Sequence, residues 1–212
     1  MKFGILGTGM VGKTIATKLI SLGHEVKLGA RDAANAGARE WVLANGPKAS
    51  QGTFADAAAF GEINVVATAG ETALEVIKSA GDGANHKPMI DISNPLDFSK
   101  GMPPTLSICN TDSLGELLQR TFPQVQFVKT LNTMAHVVMV NPSLAPSGDV
   151  FVSGNDDGAK AKVIDVLKSF GWSAPLDLGD ISTARGTEML LPVWLRLWGK
   201  LSKAEFNFKV VR

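Results

Sequence analysis

Gly7-Thr8-Gly9-Met10-Val11-Gly12 lies directly behind the apolar run Phe3-Gly4-Ile5-Leu6 and opens the helical pattern Val11, Ile15, Ala16, Leu19 and Ile20. Strand, glycine turn and helix form the context in which G-x-G-x-x-G marks a dinucleotide site and not a chance spacing of glycines. Each glycine has a separate task. Gly7 makes the tight turn, Gly9 lets the backbone approach a pyrophosphate, and Gly12 lets helix and strand pack closely. The phosphates would rest on free N–H groups at the helix start, where the helix dipole favours anions.

The second strand, Glu25-Val26-Lys27-Leu28-Gly29-Ala30, ends at Arg31, about twenty residues beyond the glycines. An NAD-selective fold would place Asp or Glu there, to bond the adenosine ribose and repel a 2′-phosphate. A guanidinium does the reverse, pairing with phosphate through a planar fork of donors. Ala30 and Arg31 therefore point to NADP, with the Thr8 hydroxyl near the same phosphate and Asp32 as the N-cap of the next helix. The alternative is that Asp32 turns inward as the ribose carboxylate and Arg31 is solvated.

In open α/β sheets a ligand lies across the carboxyl ends of the strands. That selects Thr68-Ala69-Gly70, Ser93-Asn94-Pro95-Leu96 and Asn132-Thr133-Met134-Ala135. These small and polar residues could let a nicotinamide lie flat, with Asn94 or Asn132 bonding its carboxamide. The chain has no tyrosine, so a Tyr and Lys proton-donor pair cannot exist. His136 is the one acid or base expected in this zone, as a catalytic candidate or as a structural histidine at a helix start. His24 and His86 precede strands and belong at the opposite end of the sheet. Arg185 and Glu188 read as surface charges that could reach the cleft, and Cys109 as a packing residue. An oxidoreductase short of acids and bases suggests a hydride acceptor that needs none, such as a flavin or deazaflavin ring.

The elements that must position these residues alternate along the chain. Helical signals cover Asp32 to Asn45, Phe54 to Phe60, Ala73 to Ala80, Ser113 to Arg120 and Ala159 to Phe170; strands are expected at Ile63–Ala67, Met89–Ile92, Val125–Val128, Asp149–Ser153 and Ala174–Leu178. A long helix from Ser182 to Leu201, bent at Pro192, and a strand at Phe206–Val211 complete the reading. The pattern predicts an α/β fold: a doubly wound, Rossmann-type, mostly parallel sheet with a small C-terminal helical and strand appendage. Residues 1–140 would form the NADP-binding domain, and 141–212 an extension completing the sheet, the substrate cleft and a dimer contact.

Composition bounds the remaining possibilities. With 212 residues the chain can bury a sizeable core, and 21 Lys plus Arg against 20 Asp plus Glu leave no electrostatic footprint for nucleic acid or an anionic membrane. A single cysteine and three scattered histidines give neither a disulfide framework nor a zinc spacing. The apolar run Met189–Trp198 is interrupted by Pro192 and Arg196 and too short to cross a bilayer. The first strand begins at once, without room for a signal peptide, and the expected setting is cytoplasmic.

Beyond these physical readings, the chain resembles, over essentially its full length, the coenzyme F(420)-dependent NADP oxidoreductases and the related nucleotide-binding domain of the STEAP metalloreductases. The matching pieces are the glycine hexapeptide, Leu22-Gly23-His24-Glu25-Val26, Gly29-Ala30-Arg31, Val65 to Thr68, Asp91-Ile92-Ser93-Asn94-Pro95, Lys129-Thr130-Leu131-Asn132-Thr133-Met134-Ala135 and Leu176-Asp177-Leu178-Gly179. The resemblance implies NADP(H) held by Thr8 and Arg31 at the 2′-phosphate and by the Met10 and Val11 amides at the pyrophosphate. It places Ala69, Met134 and Ala135 near the nicotinamide, implies F(420) or a flavin as co-substrate, and implies a homodimer built partly through the C-terminal segment. The chain departs from the family at Ala30-Arg31-Asp32, where members often carry Ser-Arg and further basic residues. It departs again at Asn132, where some carry His, and at Met189, Leu190 and Leu191, where polar residues are expected. Expected activity is hydride transfer between NADP(H) and a deazaflavin-like acceptor; an imine or quinone-like reductase using His136, with Trp194 or Trp198 in the cleft, and a non-catalytic NADP(H) sensor are the alternatives.

Overall fold

A computed structural model describes residues 1–211. β1 (Lys2–Leu6), α1 (Met10–Ser21), β2 (Glu25–Ala30), α2 (Ala36–Asn45), β3 (Ala49–Thr53), α3 (Phe54–Phe60), β4 (Ile63–Val66), α4 (Gly70–Ala80) and β5 (Pro88–Asp91) follow in turn. A small antiparallel excursion, β6 (Leu96–Asp97) with β7 (Thr105–Leu106), precedes α5 (Leu114–Thr121), β8 (Gln126–Thr130) and α6 (His136–Val140). β9 (Phe151–Gly154), α7 (Asp157–Phe170), β10 (Leu176–Gly179), α8 (Ala184–Met189) and α9 (Leu191–Leu201) complete the chain.

One sheet takes the order β10-β9-β8-β5-β4-β1-β2-β3, with β8 against β9 as its antiparallel pair. It is the mostly parallel, doubly wound Rossmann-type sheet expected from the sequence. The chain moves outward from β1 through β2 and β3, then returns to lay β4 on the other side of β1. Helices leaving β1 and β4 diverge there, and the crevice between their carboxyl ends is the ligand position of such folds.

Strand alternation sends side chains to two cores. Phe3, Ile5, Val65, Ile90 and Val128 pack with Ile15, Leu19, Trp41 and Leu167 on one face. Leu6, Val66, Met89 and Phe127 pack with Phe54, Ile77, Leu118 and Ala184 on the other. Register aligns the strand ends: Leu6 opposite Val66, Val66 opposite Asp91, and Asp91 opposite Lys129.

Four sequence expectations change. β3, whose Ser50, Gln51 and Gly52 carry no apolar run, was not legible as a strand. α2 starts at Ala36 and is capped by the Asn35 side chain accepting from the Ala38 N–H at 2.9 Å, whereas Asp32 accepts from the Ala34 N–H at 2.8 Å in the preceding turn. The long terminal helix is two helices, separated at Leu190, with Pro192 in the first turn of α9, where its missing N–H breaks no bond. Residues 206–211 pair with no strand; they run past Asp149, whose N–H donates to the Phe208 carbonyl at 2.9 Å and whose carboxylate accepts from the Val210 N–H at 2.6 Å.

Candidate cofactor and active site

The three glycines of the hexapeptide differ in what surrounds them. At Gly7, φ is +132° and a Cβ would stand 2.6 Å from the Ala67 carbonyl oxygen; at Gly12 it would stand 2.5 Å from the Gly7 oxygen. These two are fixed by the fold itself. A Cβ on Gly9 would meet nothing within 4 Å, so the space above the turn is open to a ligand. α1 begins beneath it with no side-chain cap and no acidic residue in its first turn. The first N–H groups thus face outward in a positive dipole field, the donor set a pyrophosphate requires.

At the adenosine end, Ala30 is buried as the last residue of β2 and Arg31 projects into solvent. Asp32 is occupied with its own turn, which argues against its serving as the ribose carboxylate. Lys13, unremarked in the sequence, reaches the first turn of α2 just beyond: a Cβ on Gly37 would lie 3.3 Å from its Nζ, and no carboxylate pairs with it among the described residues.

At the β1–β4 crevice lies a cavity of about 310 Å³. Gly9, Met10, Val11, Thr68, Ala69, Asn94 and Leu96 line it as the sequence suggested, joined by Glu71 and Phe98, which sequence reasoning did not select. The Thr68 hydroxyl is buried with no hydrogen-bond partner, an open valence in the wall. Asn94 and Asn132 are bonded to each other: Asn94 Nδ2 donates to the Asn132 carbonyl at 3.0 Å and Asn132 Nδ2 to Asn94 Oδ1 at 2.9 Å. The pair ties two strand-end loops together and leaves only part of each amide for a carboxamide. Met134 is packed in the core below, and Ala135 is the N-cap of α6.

His136 stands outside the lining of this cavity. Its Nδ1 is 2.9 Å from Thr14 Oγ1, and that hydroxyl is also 2.9 Å from the Met10 carbonyl oxygen, so α6 is pinned to α1. Trp194 and Trp198 also lie away from the cavity. They stack on each other at 5.9 Å, and Trp194 stacks on Phe206 at 5.2 Å. Cys109 is exposed, not the packing residue expected from the sequence. Among the described residues, no three His, Cys, Asp or Glu side chains are grouped to hold a metal ion.

A charge cluster beneath the cavity was missed. Lys129, fully buried, donates from Nζ to Asp91 Oδ2 at 2.9 Å and to the Ser93 carbonyl at 2.7 Å, and lies 2.8 Å from Glu188 Oε1. Glu188 is therefore no surface charge; it is 1% exposed and accepts from the Leu114 and Gly115 N–H groups at the start of α5. Burial alone would lower the Lys129 pKa, but the Asp91 and Glu188 carboxylates outweigh it and hold the ammonium above its ordinary value. Arg185 turns instead to Glu116, with Nε at 2.8 Å from its carboxylate. The signal was available: both faces of a central parallel strand are covered, so a Lys and an Asp inside two such strands must find partners.

Residues 2–95 match the family described as NADP oxidoreductase, coenzyme F(420)-dependent. A crystal structure from Arthrobacter sp. FB24, assigned as an F(420)-dependent NADP reductase, is 51% identical and superposes with a TM-score of 0.94 over 100% of both chains. The F(420)-dependent NADP reductase of Methanocaldococcus jannaschii is 28% identical over 93% of this chain and 92% of its own. The metalloreductase STEAP3 of Rattus norvegicus is 25% identical over 91% of this chain, which spans 38% of that protein. No helix among the described residues is long and apolar enough to cross a membrane. With the glycine cradle, the uncapped helix start and these matches in agreement, the chain is an NADP-dependent oxidoreductase and belongs to the coenzyme F(420)-dependent NADP oxidoreductase family.

Proposed function

We propose that this enzyme exchanges a hydride between NADP(H) and a deazaflavin of the F(420) type in the cytoplasm. The carrying observation is the chemistry of the cavity wall, where Glu71, itself exposed, is the one ionisable side chain among the described residues. A carbonyl or imine acceptor would need a placed acid, whereas a deazaflavin ring accommodates the charge itself and draws its proton from water. The bound nicotinamide would supply the hydride to the ring carbon, or take it back from the reduced deazaflavin. In this assignment the Met10 and Val11 amides hold the pyrophosphate and Gly12 keeps the helix close. Thr8 and Arg31, assisted by Lys13, hold the 2′-phosphate. Thr68, Ala69 and the Asn94–Asn132 pair form the wall at the nicotinamide, with Met134 and Ala135 behind it. Leu96 and Phe98 offer the apolar edge of the acceptor position.

The C-terminal segment beyond residue 140 would supply a homodimer contact. α9 leaves Val193, Leu197 and Leu201 exposed at a four-residue spacing, one helix face, with Trp198 beside them. Its occupant in this reading is a second copy of the chain.

The experiment is anaerobic mixing of protein, NADPH and oxidised deazaflavin, following loss of the deazaflavin's visible absorbance. Protein-dependent bleaching supports the reading; NADPH binding without bleaching refutes the acceptor. Two substitutions sharpen it. Arg31→Ala should weaken NADPH by roughly 1.5–3 kcal/mol, one charge-assisted contact, and barely affect NADH. Equal losses for both cofactors, measured by titration, would remove Arg31 from the phosphate. His136→Phe should leave the bleaching rate within about threefold, an effect below 1 kcal/mol, while lowering the melting temperature slightly as the Thr14 bond is lost. A collapse in rate would make His136 a proton donor after all.

A further inference from the structure

The cluster of Lys129, Asp91 and Glu188 uses every donor it has. An ammonium has three N–H groups, and those of Lys129 go to Asp91 Oδ2, Glu188 Oε1 and the Ser93 carbonyl. Asp91 Oδ1 in turn accepts from the Ser93 N–H at 2.9 Å and from the Ser93 hydroxyl at 2.5 Å. Ser93 is thus held through its N–H, its C=O and its side chain, and it precedes Asn94 in the cavity wall. Glu188 completes the arrangement from α8: one carboxylate compensates Lys129 and caps α5.

Two buried carboxylates for one ammonium is a costly way to fill a core, since apolar residues of similar volume often serve stability as well. Asp91 belongs to the Ser93 turn, so the carboxylate needing explanation is Glu188. Its effect, through Lys129, is to fix a carbonyl of the wall. We propose that Glu188 and Lys129 are positioning residues for the nicotinamide half of the cofactor, so that a residue of the C-terminal segment sets the surface against which the reacting ring lies. This rests on the reading that the nicotinamide occupies the cavity beside Ser93 and Asn94.

The test is Glu188→Gln, titrated with NADPH and with adenosine 2′,5′-bisphosphate, which carries the adenosine half without the nicotinamide. The amide keeps the volume and one acceptor for α5 but removes the charge facing Lys129. Affinity for the bisphosphate should stay within about twofold, and affinity for NADPH should fall about tenfold, with the fluorescence of the bound dihydronicotinamide moving toward that of free cofactor. Unchanged NADPH affinity, or equal weakening of both ligands, overturns the proposal, because a purely structural role would move both together. Glu188→Asp, which keeps charge but shortens reach, is read in the same way if the Gln variant does not fold. A wild-type protein that binds both ligands equally and leaves the fluorescence unchanged overturns the placement of the nicotinamide, and the proposal with it. A wild-type nicotinamide contribution that survives both substitutions overturns the proposal alone.

Discussion

Gly9→Val is expected to abolish NADPH binding, by at least about a hundredfold, while leaving the melting temperature unchanged. The separation of the two effects follows from the surroundings of this glycine. Its φ of −75° and ψ of −178° are extended backbone that valine adopts readily. Its Cβ would touch no protein atom within 4 Å. The folded apoprotein therefore gains a Cβ in open space. That space adjoins the uncapped first turn of α1, and a branched side chain there would keep a pyrophosphate from at least two N–H donors. Hydrogen bonds to charged groups contribute about 1.5–3 kcal/mol each, so two of them account for a hundredfold or more. Gly12→Val supplies the contrast. Its Cβ would stand 2.5 Å from the Gly7 oxygen, so that variant should lose stability as well as binding. Titration with NADPH beside a thermal melt reads both quantities, and an unaltered affinity in Gly9→Val would remove the phosphate from the glycine turn.

The same difference between glycines shows what could be read from the chain before its structure. A motif is legible when its parts are local: strand, turn and helix within the first residues specify the cradle, and Arg31 follows from the length of one βα unit. The doubly wound sheet is legible because its strands are short apolar runs between amphipathic helices. β3 escaped because Ala49–Thr53 is an edge strand whose pairing to β2, not its own composition, makes it extended. Asp32 was misread as the cap because Asp and Asn are both good caps, and only the path of the turn shows that Asn35 is the one at the helix start. The break at Leu190 was put at Pro192 because proline in a helical pattern suggests a bend, although it is equally at home in the first turn of a new helix. The charge cluster joins Asp91, Lys129 and Glu188 across positions far apart in sequence. Glu188 in a short polar helix carries no local mark of burial; only the docking of α8 on α5 supplies it.

That cluster also yields the largest stability effect expected here. Lys129→Met should destabilise the protein by about 3–5 kcal/mol, the cost of leaving buried charge without its partner. Methionine nearly fills the volume, so little of the loss would come from a cavity. Asp91 would retain its bonds from Ser93 and Glu188 its bonds from α5, but the cation between them would be gone and the Ser93 carbonyl would lose its donor. For a chain of this size the melting temperature should fall by roughly 6–20 °C. The wild-type dependence on pH follows from the direction of the Lys129 shift. Its folded pKa is raised, so its contribution is fully present below the unfolded value and is lost only as pH rises through the still higher folded value. Between about pH 6 and 9 its titration should therefore leave wild-type stability flat. Denaturant midpoints for both proteins across that range test the argument. A loss below about 1 kcal/mol in Lys129→Met would mean that the two carboxylates are satisfied by backbone and hydroxyl donors alone. The ammonium would then matter only for where it holds the Ser93 carbonyl, and the link from α8 to the cavity wall would have to be judged on cofactor binding rather than on stability.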